Sequence, residues 1–210
     1  KKKLMVGSCK HSDLCTFSLH PLKSITTGEG GLVTTNNKLI ADKIKKFCSL
    51  GIKRSANHWE YDVIYTGLNF RLNDFQSALG ISQLNKINKF INFRKKVFNH
   101  YQKSLKKINQ IQTPFHEQKY NSSFHLYVIQ INNFTLKQKN RFINYMLKKN
   151  IIIQYHYIPV YKFKVFKGRY SCPNSKVYYN CSVSLPIYYG LSKKNQNYII
   201  NIIKDFFNEK

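Results

Sequence analysis

One apolar stripe constrains this chain more than any other feature. Phe75, Leu79, Ile81, Leu84, Ile87, Ile91 and Phe98 recur at helical spacing, and Asn73 with Gln76 three residues later makes a capping-box start. The pattern predicts one helix from Asn73 to about Leu105. At roughly 30 residues it would span about 45 Å, longer than one ordinary domain needs, so it reads as a bridge between two. The expected organisation is a domain over 1–105 that ends in this bridging helix, followed by a smaller one over 106–210.

After the bridge, strand and helix signals alternate. Phe124–Ile131 reads as a strand, Thr135 with Gln138 at the capping-box position opens a helix to about Lys149, and Ile151–Tyr155 reads as a buried strand. A loop with Pro159 and Gly168 leads to a short strand near Ser182–Leu185. Ser192 then caps a last helix whose buried side is Ile199, Ile202, Ile203 and Phe206. The class is α/β. Before the bridge, Thr27-Gly-Glu-Gly-Gly31 is the densest turn signal; it runs into a β-branched strand, Leu32–Thr35, and a helix from about Leu39 to Leu50 closed by Gly51.

The 210 residues carry 35 Lys+Arg against 9 Asp+Glu, a formal charge of +26. Such an excess raises nucleic acid and anionic membranes as partners, because clustered cations release counterions from polyphosphates. Its make-up argues otherwise. Only 5 of the 35 are Arg, the residue that forks onto guanine edges and phosphates. Abundant Lys, Asn, Ile and Tyr together are what AT-rich codons produce, so no specific nucleic-acid partner is expected, while the field still favours small anions. Five cysteines with no C-x-x-C and no tight Cys/His pairing point to a reduced, cytoplasmic protein without a metal site. Residues 4–6 are too short for the apolar core of a signal peptide, and no stretch approaches the roughly 18 apolar residues of a membrane span. The chain opens on Lys rather than Met, so a fragment is expected.

The chemistry sits near the front. Ser18-Leu-His-Pro-Leu-Lys-Ser-Ile-Thr-Thr-Gly-Glu-Gly-Gly31 holds a lysine, Lys23, in a Pro-constrained, Thr-rich loop that drops into a glycine cluster. Pro21 fixes φ two residues ahead of Lys23. A lysine held this way can attack an aldehyde as a neutral amine on a rigid approach. Read by itself, it is equally one of 30 solvated lysines.

The whole string decides between these. Phe17-Ser-Leu-His-Pro-Leu-Lys-Ser-Ile-Thr-Thr-Gly-Glu-Gly-Gly31 resembles the cofactor-lysine loop of the DegT/DnrJ/EryC1/StrS sugar aminotransferases. Thr66-Gly-Leu-Asn-Phe-Arg-Leu-Asn-Asp-Phe-Gln-Ser-Ala-Leu-Gly-Ile-Ser-Gln-Leu84 is similar to their G-x-N-x-R-x-x-D-x-x-x-A-x-x-G-x-x-Q-L signature. Gln154-Tyr-His-Tyr-Ile-Pro159 is similar to their HYxP-type substrate loop, and Ser184-Leu-Pro186 to a late S-L-P element. The wording around Lys23 is most like that of the pseudaminic acid pathway members. Two positions depart from the pattern: Leu19 stands where the family usually has an aromatic, and Ser77 where Ala is common.

The resemblance implies a pyridoxal 5'-phosphate enzyme of the aspartate aminotransferase fold (fold type I), with part of the large domain followed by the small C-terminal α/β domain. It implies amino-group transfer, with glutamate as donor, to a UDP-linked 4-keto-6-deoxy sugar in surface polysaccharide biosynthesis. Lys23 becomes the lysine that holds the cofactor covalently and carries the proton. Ser18 becomes a phosphate ligand, and Asn69 a ligand to the phosphate of a neighbouring subunit's cofactor, so a homodimer with shared sites is implied. Gln154, Tyr155, His156 and Tyr157 would line the nucleotide-sugar site. From the residues alone, Asn69 is equally a turn residue, Arg71 either an anion ligand or a partner of Asp74, and the Tyr/His run ordinary packing. The family's phosphate-cradling helix N-terminus, ring-stacking aromatic and pyridine-pairing Asp lie N-terminal to the matched region, so the sequence reads as truncated. The competing reading is an inactive relic that serves only as a basic binding or interaction module.

Overall fold

The computed structural model describes residues 4–57, 59–117, 120–166 and 172–208. The chain divides into two compact units, Lys1–Ile87 and Asn88–Lys210.

In the first unit, β1 (Cys15–Ser18) and β2 (Gly31–Thr34) form an antiparallel pair in which Ser18 stands opposite Gly31. Everything between them is therefore one closed loop, and Lys23 lies in it. Helix α1 (Lys38–Cys48) starts where Asn37 Oδ1 accepts from the Leu39 and Ile40 amides at 2.9 and 3.3 Å. It ends two residues before the expected Leu50, with Gly51 at φ +70° sending its N–H back to the Lys46 carbonyl. A second antiparallel pair, β3 (Ile52–Arg54) and β4 (Tyr61–Val63), follows; nothing in its short, mixed sequence marked it as strand.

The single bridging helix is not formed. Helix α2 (Asp74–Leu84) carries the expected Asn73/Gln76 capping box, and a new helix, α3 (Ile87–Leu105), begins after Asn85 and Lys86. At the break the Lys86 amide reaches only to the Gln83 carbonyl, an i to i+3 bond that tightens the turn. Asn, whose side chain competes for backbone bonds, is a natural place for this. The apolar period continues straight through the break, which is why the stripe suggested one helix. Its two halves have different fates. Helix α2 buries none of its residues and leaves Phe75 90% exposed, whereas α3 buries Val97, Phe98, Tyr101 and Leu105.

The second unit is built on a three-stranded antiparallel sheet, β5 (Ile111–Gln112), β6 (Tyr127–Ile131) and β7 (Ser182–Leu185), with β6 central. Tyr127, Ile129 and Ile131 alternate inward along β6, and β7 is buried throughout. Phe142 and Met146 of α4 (Leu136–Lys148) and Ile199, Ile200 and Ile203 of α6 (Lys193–Asn208) complete the core with the inner side of α3. Both caps read from sequence are present: Thr135 with Gln138 on α4, and the Ser192 hydroxyl accepting from the Asn195 amide at 3.1 Å on α6. Gln196 and Ile200 join the expected buried face of α6, while Phe206 is only half-buried.

Three elements of this unit differ from expectation. Strand β6 starts at Tyr127 rather than Phe124, whose φ of +51° takes it out of extended backbone although its ring is buried. Ile151–Tyr155 buries Ile151 and Ile153 as expected but pairs only through one bridge, Gln154 to Ser184. The segment read as a loop around Pro159 contains a 3-10 turn (Val160–Lys162) and then α5 (Pro173–Cys181), which has Pro at its first position. Gly168 lies outside the described residues.

Candidate active site

The predicted site residues fall in two groups, Ser18, Lys23 and Asn69 in the first unit and Gln154, Tyr155, His156 and Tyr157 in the second.

The Lys23 loop is held by its own backbone. The Lys23 amide donates to the His20 carbonyl at 2.9 Å, closing a four-residue turn with Pro21 at its second position, where a fixed φ is favourable. At the base, the Leu19 amide donates to the Gly30 carbonyl and the Thr27 amide to the Leu19 carbonyl, at 2.9 and 3.1 Å. Leu19 and Thr27 are buried, so Leu19 fills an interior position despite lacking the family's aromatic ring. His20 is fastened on both sides. Its amide donates to Ser18 Oγ at 3.3 Å, and its Nδ1 accepts from the Leu22 amide at 3.2 Å. Its Nε2 lies 3.8 Å from Glu29 Oε1 across the loop.

Helix α2 grips this loop, which was not foreseen. The Gln76 amide group both closes the capping box, its Oε1 accepting from the Asn73 N–H at 3.1 Å, and donates from Nε2 to the Glu29 carbonyl at 3.1 Å. One turn further on, a Cβ on Gly80 would sit 2.9 Å from Thr27 Cγ2, so the bare backbone is what lets the helix approach. A mid-helix glycine in the sequence was the available signal.

Asn69 is placed by a similar close approach. A Cβ on Gly67 would lie 2.3 Å from the Gly51 nitrogen, and the strip it opens pairs Asn69 with Ser49. Asn69 Oδ1 accepts from Arg71 Nε at 2.9 Å, so Arg71 turns to Asn69 and not to Asp74. Asn69 Nδ2 and the Ser18 hydroxyl proton have no acceptor among the described residues. An amine on a rigid turn, a hydroxyl at its base and a free carboxamide donor suit the aldehyde and phosphate ends of pyridoxal phosphate.

In the second unit the predicted loop is fastened to the S-L-P element. Gln154 and Ser184 exchange main-chain bonds in both directions, and His156 Nδ1 lies 2.8 Å from Ser184 Oγ. Tyr157, 72% exposed, opens onto a cleft of about 730 Å³ shared with Pro159, Tyr161, Phe166 and Tyr178. Tyr155 faces elsewhere. Its ring meets that of Tyr179 edge-on at 5.7 Å, and the ammonium of Lys139, fully buried, lies 4.8 Å from the Tyr155 centroid and 3.6 Å from that of Tyr179. Lys139 also donates to the Tyr179 carbonyl. Burial pushes the Lys139 amine down to about 8, against a smaller upward pull from Cys181. Sequence reasoning missed this residue; its signal was a lysine on the inward period of α4, three and seven residues before Phe142 and Met146.

No helix among the described residues is long and apolar enough to cross a membrane, and no group of three or more His, Cys, Asp or Glu among them could hold a metal ion.

Comparison with known proteins completes the picture. The chain is 34% identical over 193 residues to the UDP-4-amino-4,6-dideoxy-N-acetyl-beta-L-altrosamine transaminase of Campylobacter jejuni, covering 90% of this chain and 51% of that protein. It thus spans about half the length of the curated relatives it matches. Among solved structures it is similar to Helicobacter pylori PseC, an aminotransferase involved in the biosynthesis of pseudoaminic acid (30% identity, TM-score 0.90, 95% of this chain and 54% of that one). It is also similar to the PLP form of Spr1654 of Streptococcus pneumoniae (26% identity, TM-score 0.84, 96% and 53%). These likenesses bear out the expected fold, that of the pyridoxal-phosphate-dependent sugar aminotransferases. With residues 3–204 matching its model, the chain belongs to the DegT/DnrJ/EryC1/StrS aminotransferase family.

Proposed function

We propose that this chain is the part of a nucleotide-sugar aminotransferase that carries the cofactor lysine, and that the complete enzyme moves an amino group from glutamate to a UDP-linked 4-keto-6-deoxy sugar. The observation that carries the reading is the Lys23 turn, closed by the His20 carbonyl, based on Leu19 and clamped by Gln76. The likeness to the Campylobacter transaminase supports the sugar.

In this reading the first unit is part of the cofactor domain and the second is the small domain of a cytoplasmic homodimer. Pyridoxal phosphate, when bound, supplies the electron sink for amino transfer. Lys23 Nζ is the covalent anchor and the proton carrier. Ser18 Oγ, whose lone pair already serves the His20 amide, donates its proton to a phosphate oxygen. Asn69 Nδ2 donates to the phosphate of the partner's site. The loop of Gln154, Tyr155, His156 and Tyr157 binds the nucleotide sugar.

Incubation with pyridoxal phosphate, borohydride reduction and peptide mass mapping tests the reading. The adduct is expected on Lys23 ahead of the 29 other lysines, and Lys23→Ala should abolish it. Labelling scattered over surface lysines would sink the assignment and favour a non-catalytic basic module.

A further inference from the structure

A buried ammonium needs a counter-charge or it neutralises. Among the described residues, none of the groups acting on Lys139 is a carboxylate. What it has instead is the last turn of α5 and two aromatic faces. The Tyr179 carbonyl is one of the four at that helix end without an intrahelical partner, at the negative pole of the helix dipole. Ring faces attract cations most strongly where water is excluded.

The arrangement is directional. One side of the Tyr155 ring is taken by Lys139 and Tyr179, while the residue stays 39% exposed, next to Gln154 and His156, which Ser184 anchors. Lys162 of the 3-10 turn lies 4.7 Å from the Tyr179 centroid and repels Lys139. Across from Lys139, then, stand Lys162 from that turn, Tyr179 and Cys181 from α5, and Tyr155. Burial holds the Tyr179 phenol above its ordinary value, so that ring is neutral where Lys139 titrates.

We propose that Lys139 is a positioning residue for Tyr155: its buried ammonium, fixed at the end of α5, holds the Tyr155 ring in place for the nucleotide-sugar ligand. The proposal rests on the nucleotide-sugar reading above. Loss of the proton removes the attraction to the rings, so ligand affinity should fall as the pH rises.

The test uses the full chain and UDP as probe. Calorimetry from about pH 6.5 to about 9.5 should show a dissociation constant that weakens about tenfold with a midpoint near 8. Lys139→Met should bind about tenfold more weakly at neutral pH and show no such midpoint. Without any substitution, NMR of ring-labelled tyrosine, with Tyr155 assigned through Tyr155→Phe, should show its resonances moving with the same midpoint. Tyr155 resonances indifferent to pH, or UDP affinity indifferent to both pH and Lys139→Met, would overturn the positioning role alone. No UDP binding by the unaltered chain would overturn it together with the nucleotide-sugar reading beneath it.

Discussion

His156 Nδ1 and Ser184 Oγ lie 2.8 Å apart, joining two motifs that are 28 residues apart in the chain. Because Ser184 also pairs its backbone with Gln154, the HYxP-type loop and the S-L-P element are one structure, in which the buried strand β7 carries the loop.

Two serines of β7 should therefore behave oppositely. Ser184→Ala removes the hydroxyl that bonds His156 Nδ1 and should cost about 1 kcal/mol in chemical denaturation, with a changed His156 ring signal in NMR. The Ser182 hydroxyl is buried with no hydrogen-bond partner among the described residues. Its removal by Ser182→Ala should be neutral or stabilising, because an unsatisfied buried polar atom already bears its desolvation cost. Equal losses at the two sites would contradict this account of the strand.

Gln76 is expected to matter twice. Gln76→Leu deletes half of the α2 capping box and the bond to the Glu29 carbonyl, which together should cost about 1–2 kcal/mol. The more telling readout is covalent: borohydride trapping on Lys23 should drop several-fold while background labelling of other lysines is unchanged. A pure loss of stability, with Lys23 trapping intact at a temperature where the variant stays folded, would mean that α2 does not hold the loop.

Much of this was legible in local sequence. Thr135/Gln138 and Asn73/Gln76 announce their helices because a capping box lies within four residues. Strand β7 stands where a short strand was expected, at Ser182–Leu185. The misreadings share a cause. The break at Asn85 is a change of backbone bonding that leaves the apolar period untouched, and α5 hides in a polar stretch whose only marker is Pro173 at its first position. In the site, Lys23 could be recognised by its string, whereas Lys139 had only its place on the inward period of α4 to set it apart from 29 other lysines. Its meaning comes from Tyr155 and Tyr179, which are distant in sequence and meet it only in the fold.

The Gly80 contact predicts a sign reversal. In an exposed helix interior, Gly→Ala stabilises by about 1 kcal/mol. Here the new methyl would press on Thr27 Cγ2, and Thr27 is not free to turn, since its Oγ1 donates to the Glu29 carbonyl at 2.8 Å. Gly80→Ala should therefore be neutral to destabilising. Adding Thr27→Ser, which deletes Cγ2 and keeps the hydroxyl, should restore the ordinary gain, a coupling of about 1 kcal/mol in a double-mutant cycle. Strict additivity would show that α2 does not approach the loop at this point.

Stability should depend on alkaline pH in two opposing ways. Lys139 has a folded-state value of about 8 against an ordinary 10.5, so between these values the unfolded chain binds the extra proton. Stability then rises with pH across that window, by on the order of 3 kcal/mol at most. Tyr101 and Tyr127 act the other way. Burial holds both phenols well above their ordinary 10, reinforced for Tyr101 by Tyr188 and for Tyr127 by Tyr101. Above about pH 10 the unfolded chain ionises first and stability falls. Denaturation midpoints should thus climb from about pH 8 toward 10 and decline beyond it. In Lys139→Met the climb should vanish and the decline remain, whereas Tyr127→Phe should soften only the decline. A climb that survives Lys139→Met would assign the proton to another group.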